Sequence, residues 1–128
     1  PLNNKNFNNF IIDLRQQFGA ELISEKQALR RIASIKNDLK NIAFIADQSP
    51  FPELAEWINF LNQDTPIFSG PAKISKMFNY PIIYFTINKI KRGHYLISGE
   101  EIFDPKSTDL NELEIMKLFF KRLEDDIK

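Results

Sequence analysis

Few side chains in this sequence have the type and setting to do chemistry. Asp47-Gln48 follows directly on the apolar run Ile42 to Ala46, and Arg15 lies at the edge of the apolar stripe of a leading helix. Thr65, Ser69, Gly70 and Lys73 gather where a later helix should begin, and His94 is the single imidazole of the chain. A guanidinium offers a planar fork of donors that grips a phosphate through two hydrogen bonds. A carboxylate just beyond a buried strand stands where ligands collect in open α/β sheets. Free amides and the dipole at a helix start favour an anion. Each feature also has a plainer explanation. Asp and Ser cap turns, and most helix Arg and Lys residues are simply solvated. Residue type and position alone favour those plainer roles for Asp47, Arg15 and Lys73. His94 is the only candidate for a general base near neutral pH, but it falls on a hairpin and no Ser is spaced to be its nucleophile.

The elements that must position these residues follow from the apolar spacing. Phe7, Phe10, Ile11, Leu14 and Phe18 recur as one face of a helix that Gly19 can end. Glu21 to Ser24 reads as a short strand. A second helix runs from Glu25 to about Asn37, with Leu29, Ile32 and Ile35 inward and Arg30, Arg31 and Lys36 outward. The continuously apolar Ile42 to Ala46 reads as a strand covered on both faces, with Asp47 at its carboxyl end. Ser49-Pro50-Phe51-Pro52 must turn, because each Pro removes a donor and biases its predecessor away from helix; a helical turn over Glu53 to Trp57 follows. Trp57 to Leu61 is a strand, Asn62-Gln63-Asp64 a turn, and Gly70-Pro71 opens a helix through Phe78. Pro81 to Ile90 and His94 to Ile97 flank Lys91-Arg92-Gly93 as an antiparallel hairpin. Leu113, Met116, Phe120, Leu123 and Ile127 mark a closing amphipathic helix. This alternation argues for an α/β domain, a mixed sheet with helices on both faces, over residues 1–128.

Composition narrows the function. The chain has 128 residues, enough for one domain with a single core, and its 43% apolar content excludes disorder. Seventeen basic and seventeen acidic residues cancel, so the electrostatic footprint of a nucleic-acid binder is missing. Without cysteine there is no thiol nucleophile, disulfide or thiolate zinc site, and one His holds a transition metal poorly. No apolar run approaches the ~20 residues of a membrane span. Phosphate-loop and nucleophile-elbow signatures are absent. Because residue 1 is Pro, the sequence is expected to be a piece of a longer chain.

At Phe44-Ile45-Ala46-Asp47-Gln48-Ser49-Pro50, at Asn59-Phe60-Leu61-Asn62 with Thr65-Pro66, and at Gly70-Pro71-Ala72-Lys73 the sequence resembles the lipid A biosynthesis acyltransferase family. The resemblance continues through Asn79-Tyr80-Pro81-Ile82-Ile83-Tyr84-Phe85 and Lys91-Arg92-Gly93-His94-Tyr95, and back to Arg15 with Phe18-Gly19. Asp-Gln-Ser-Pro, and Phe-Leu-Asn in place of the commoner Phe-Phe-Gly, resemble members from Bacteroidetes-type bacteria, often called lysophospholipid acyltransferases. The resemblance implies a partial glycerolipid-acyltransferase-like domain. It also implies transfer of a fatty acyl group from acyl carrier protein or coenzyme A to a hydroxyl of a lipid acceptor, at the cytoplasmic face of the bacterial inner membrane.

The family's signature is His-x-x-x-x-Asp/Glu, in which the acid orients an imidazole that takes the acceptor's proton. The residue five after His94 is Gly99, so His94 is not that His, and the dyad is expected before Pro1. By resemblance, Arg15 and Asp47 line the cleft, Arg15 holding a phosphate, while Gln48, Thr65 and Gly70 support its walls; this reverses the plainer roles of Arg15 and Asp47. No cofactor is implied. The segment by itself is expected to be inactive and, as part of a sheet with unpaired edges, to self-associate. A domain of the same fold that binds lipid or carrier protein without catalysis is the competing class.

Overall fold

A computed structural model describes residues 4–38, 40–50, 53 and 55–128. The chain divides into two compact units, Pro1–Lys40 and Asn41–Lys128.

In the first unit, α1 (Lys5–Gln16) begins where the Asn4 side chain accepts the Phe7 amide at 3.1 Å, and it gives way to Gly19, whose φ of +83° suits a residue without Cβ. Helix α2 (Glu25–Ser34) follows. Arg31 clasps Glu21 with two bonds of 2.6 and 2.7 Å, fixing the preceding loop to the helix and holding the Glu21 carboxyl below its ordinary range. Ile32 and Ile35 are buried as the spacing requires. Leu29 is half exposed instead, and α2 ends three residues early in turns over 35–37. The α1 stripe also departs from expectation: Phe7, Phe10, Leu14 and Phe18 are all exposed, and α1 has no buried residue. Residues 21–24 are unpaired, so the expected strand there does not form.

The second unit holds two antiparallel ladders and two helices. Strands β1 (Glu56–Phe60) and β2 (Gln63–Ile67) pair with Ile58 opposite Thr65. They turn at Leu61-Asn62, both left-handed with φ of +52° and +61°. The residue types place this turn one residue later and do not mark β2 as a strand, because Pro66 is a poor strand former. It fits here because, among the described residues, β2 is paired on one side only. Helix α3 (Gly70–Phe78) has Pro in its first turn and is closed by the left-handed Asn79. Strands β3 (Ile82–Lys91) and β4 (His94–Phe103) form the expected hairpin, longer than foreseen on the β4 side. Helix α4 (Glu112–Ile127) starts in a capping box: Asn111 accepts the Glu114 amide at 2.9 Å, and Glu114 accepts the Asn111 amide at 2.8 Å.

Ile58, Ile67, Ala72, Phe103, Ile115, Met116 and Phe120 form the core with Ala46. One face of α4 supplies three of these side chains, and Phe120 meets Phe60 edge to face at 5.2 Å.

The α/β class read from the sequence is the class observed, with helices and strands interleaved. Among the described residues, however, the strands form two separate ladders joined by two-residue turns. Ile42 to Ala46 runs without a strand partner, Ala46 buried but Ile45 65% exposed. A strand covered on both faces needs a neighbouring ladder, and none is offered to it here. The expected turn at Phe51-Pro52 and residue Leu54 of the expected helical turn lie outside the described residues, and Trp57 belongs to β1.

Candidate functional site

Arg15 occupies the last turn of α1, exposed, where a cation meets the helix's free carbonyls. It belongs to the first unit. The other four residues singled out from the sequence belong to the second.

Asp47 and Gln48 form an exposed bend immediately after Ala46. They end an unpaired segment rather than a sheet strand, so their placement comes from the burial of Ala46. Thr65 is half-buried in β2, its hydroxyl donating to the Gln63 carbonyl at 3.1 Å. Gly70 is the first residue of α3, and a Cβ there would fall 2.1 Å from Phe68 Cζ, so the ring occupies the space a side chain would need. Ala46, Ile67 and Ala72 share one core cluster. The Asp47 bend and the β2–α3 connection with Gly70 are therefore anchored in a common core. Lys73 is exposed, and His94 opens β4 exposed at the hairpin tip, paired in register with Lys91.

A polar cluster that sequence reasoning missed lies between the hairpin base and α4. Tyr84 is buried, its hydroxyl donating to Asp126 Oδ2 at 2.8 Å. Asp126 also accepts from Arg122, which donates to Glu100 Oε2 at 2.8 Å and sits 5.2 Å from the Tyr84 ring centroid. Burial, then the bond to Asp126 and its charge, push the Tyr84 phenol up to about 12, with Asp47 adding a smaller push in the same direction. Its bonds to Glu100 and Asp126 raise the Arg122 guanidinium, and Arg122 and Tyr84 together lower the Asp126 carboxyl. Tyr84 so holds its proton through neutral pH and acts as a donor, not a base. Arg122 and Asp126 stand four apart on one helix, a pairing visible in the sequence. Tyr84 and Glu100 join them only through the β3–β4 register, in which the two face each other.

An open depression of about 170 Å³ lies where β4 runs toward α4, lined among others by Phe103, Asp104, Ser107, Thr108 and Leu118. None of the five expected residues lines it. Among the described residues no three His, Asp or Glu side chains converge as metal ligands, and no helix is long and apolar enough to cross a membrane.

The model of the family described as bacterial lipid A biosynthesis acyltransferase matches residues 1–128. Neither the curated proteins nor the solved structures yield a match to the chain.

Proposed function

The chain belongs to the bacterial lipid A biosynthesis acyltransferase family, and on that footing we propose that it serves transfer of a fatty acyl group from acyl carrier protein, or from coenzyme A, to a hydroxyl of a lipid acceptor. The acceptor is a lipid A precursor or a lysophospholipid. Asp-Gln-Ser-Pro and Phe-Leu-Asn support the Bacteroidetes-type, lysophospholipid-directed branch of that reading. The single observation that carries the proposal is the family match along all 128 residues.

The chemistry assigns parts to the residues. A general base takes the acceptor hydroxyl's proton, the oxygen attacks the thioester carbon, and the thiol leaves. His94 lacks an acid at the signature spacing, so the base and its orienting acid come from outside these 128 residues and the segment alone is inactive. Arg15 holds a phosphate of acceptor or donor through its fork of donors. Asp47 orients a neighbouring hydroxyl, and Gln48, Thr65 and Gly70 shape the wall beside it. The reaction takes place on the cytoplasmic face of the bacterial inner membrane, where both lipid and carrier are within reach.

The test is acyl transfer by the full-length protein, with carrier-protein and coenzyme A thioesters offered separately to lysophospholipid and to lipid A precursor in detergent. Product from one pair identifies donor and acceptor. Binding of lipid or carrier without transfer from any pair would replace the enzyme reading with that of a non-catalytic binding domain.

A further inference from the structure

Beyond Thr86, every residue of the β3–β4 hairpin from Phe85 to Glu101 is exposed. The register aligns Phe85 with Gly99, Ile87 with Ile97 and Lys89 with Tyr95, and residues directly opposite point to the same side. One face therefore presents Ile83, Phe85, Ile87, Ile97 and Tyr95 together. Phe85, Ile87 and Ile97 are each close to two-thirds exposed. Gly99 makes that face continuous: a Cβ there would fall 2.9 Å from Phe85 Cε1 and 3.3 Å from Ile83 Cγ2, so both side chains close over the glycine.

Charge along the hairpin is segregated. From Ile82 to Gly99 there is no Asp or Glu, while Lys89, Lys91 and Arg92 crowd the tip beside His94. The acids Glu100 and Glu101 lie at the base, with Glu100 bound to Arg122. A chain of zero net charge thus concentrates three cations at the far end of an apolar ribbon.

We propose that the outer half of this hairpin docks on an anionic lipid surface, its Phe85, Ile87, Tyr95 and Ile97 face at the headgroup–acyl boundary and its Lys89, Lys91 and Arg92 tip on the phosphates. Cations combined with an apolar face are what an interfacial element needs. Tyr is at home at that depth. Among the described residues the outer edges of β3 and β4 are unpaired, which keeps the hairpin from crossing the hydrocarbon, so it lies in the interface, where about 20 Å of ladder from Phe85 to Lys91 can rest. The inference deepens the proposed function by naming the element that meets the membrane, and rests on that function only for the choice of partner.

The test measures co-sedimentation of the full-length protein with vesicles of phosphatidylethanolamine and phosphatidylglycerol, against vesicles of phosphatidylcholine alone. Replacing Lys89, Lys91 and Arg92 by Gln should weaken binding to the anionic vesicles by on the order of fivefold per charge and leave the neutral ones unaffected. In a background with Trp57 and any Trp elsewhere in the full-length protein replaced by Phe, Ile97→Trp should shift its emission to the blue on vesicle addition and be quenched by bromine-labelled lipid. Undiminished anionic binding by the triple variant would overturn the proposal. So would an Ile97→Trp emission already blue-shifted without lipid, which would place the face against another part of the protein or a second copy. Acyl transfer to a detergent-dispersed acceptor should be unchanged in the triple variant. If wild type shows no such transfer, the acyltransferase reading fails while the vesicle results stand.

Discussion

The phenol of Tyr84 donates a 2.8 Å hydrogen bond to Asp126 Oδ2, joining β3 to the end of α4 across 42 residues of sequence. Arg122 completes the junction by binding Asp126 on its own helix and Glu100 on β4. Phe119 packs on the same phenol, 5.4 Å between ring centroids. The hairpin base is thus held to α4 by one buried aromatic and a chain of charge-assisted bonds, while the outer half of the ribbon stays uncovered.

Tyr84→Phe keeps the ring and removes the bond to Asp126. The expected cost is about 1 kcal/mol, seen as a fall in Tm of roughly 4 °C. The variant also separates the phenol's titration from its packing. The folded phenol titrates at about 12 and an unperturbed one at 10.0, so the folded state keeps a proton that the unfolded state releases. Wild-type stability should therefore be full below about pH 10 and decline as pH rises towards 12. Urea midpoints at neutral and alkaline pH check this: wild type should lose more than Tyr84→Phe, and equal losses would refute the assignment.

The turn between β1 and β2 gives a second expectation. Asn62 holds φ of +61°, which costs most side chains roughly 1–2 kcal/mol and Asn less. Asn62→Gly should stabilise the protein by a few tenths to about 1 kcal/mol in thermal melts. A destabilised variant would mean that the Asn62 side chain makes an unrecognised contact.

That turn also shows what could be read from the sequence. The resemblance put Asn62 where relatives of the Phe-Phe-Gly type carry Gly, and the left-handed backbone is the physical reason Asn serves there. The bounds of α3 were legible from Gly70-Pro71, and the β3–β4 turn from Gly93, because these signals are local. The fate of Ile42 to Ala46 was not local: apolar content says that a segment is suited to a strand, but pairing needs a partner, and Ala46 is instead buried as part of the core. The α1 stripe failed for the same reason, since periodicity shows that Phe7, Phe10 and Leu14 share a face without showing what covers it. Of the candidate site, residue types were legible. The Tyr84 junction was not, because it depends on which residue of β4 lies opposite Tyr84.

Gly70 offers a packing test. Gly70→Ala would drive a methyl into the Phe68 ring, 2.1 Å from Cζ, and should cost about 1–3 kcal/mol. In a Phe68→Ala background the same change should cost little. The double-mutant cycle isolates the pairwise clash, and an equal cost in both backgrounds would locate the strain elsewhere.

The last expectation concerns the proposed site itself. Arg15 and Asp47 are both exposed, so replacing either by Ala should alter stability by no more than about 0.5 kcal/mol. A large loss of turnover would then reflect a lost ligand contact and not a damaged fold. A guanidinium bonded to a phosphate contributes about 1.5–3 kcal/mol, which corresponds to roughly a tenfold to hundredfold fall in kcat/KM for Arg15→Ala. Arg15→Lys should recover only part of it, because an ammonium keeps the charge and loses the two-pronged geometry. Asp47→Ala should fall strongly as well, and Asp47→Asn should recover activity only if its role is to accept from a hydroxyl and not to supply a negative charge. Lys36→Ala, exposed and outside the proposed site, is the control and should retain full turnover. Steady-state kinetics on the full-length protein, with melting curves for each variant, separate these outcomes. Wild-type kcat/KM in both Arg15→Ala and Asp47→Ala would remove these residues from the site while leaving the family membership untouched.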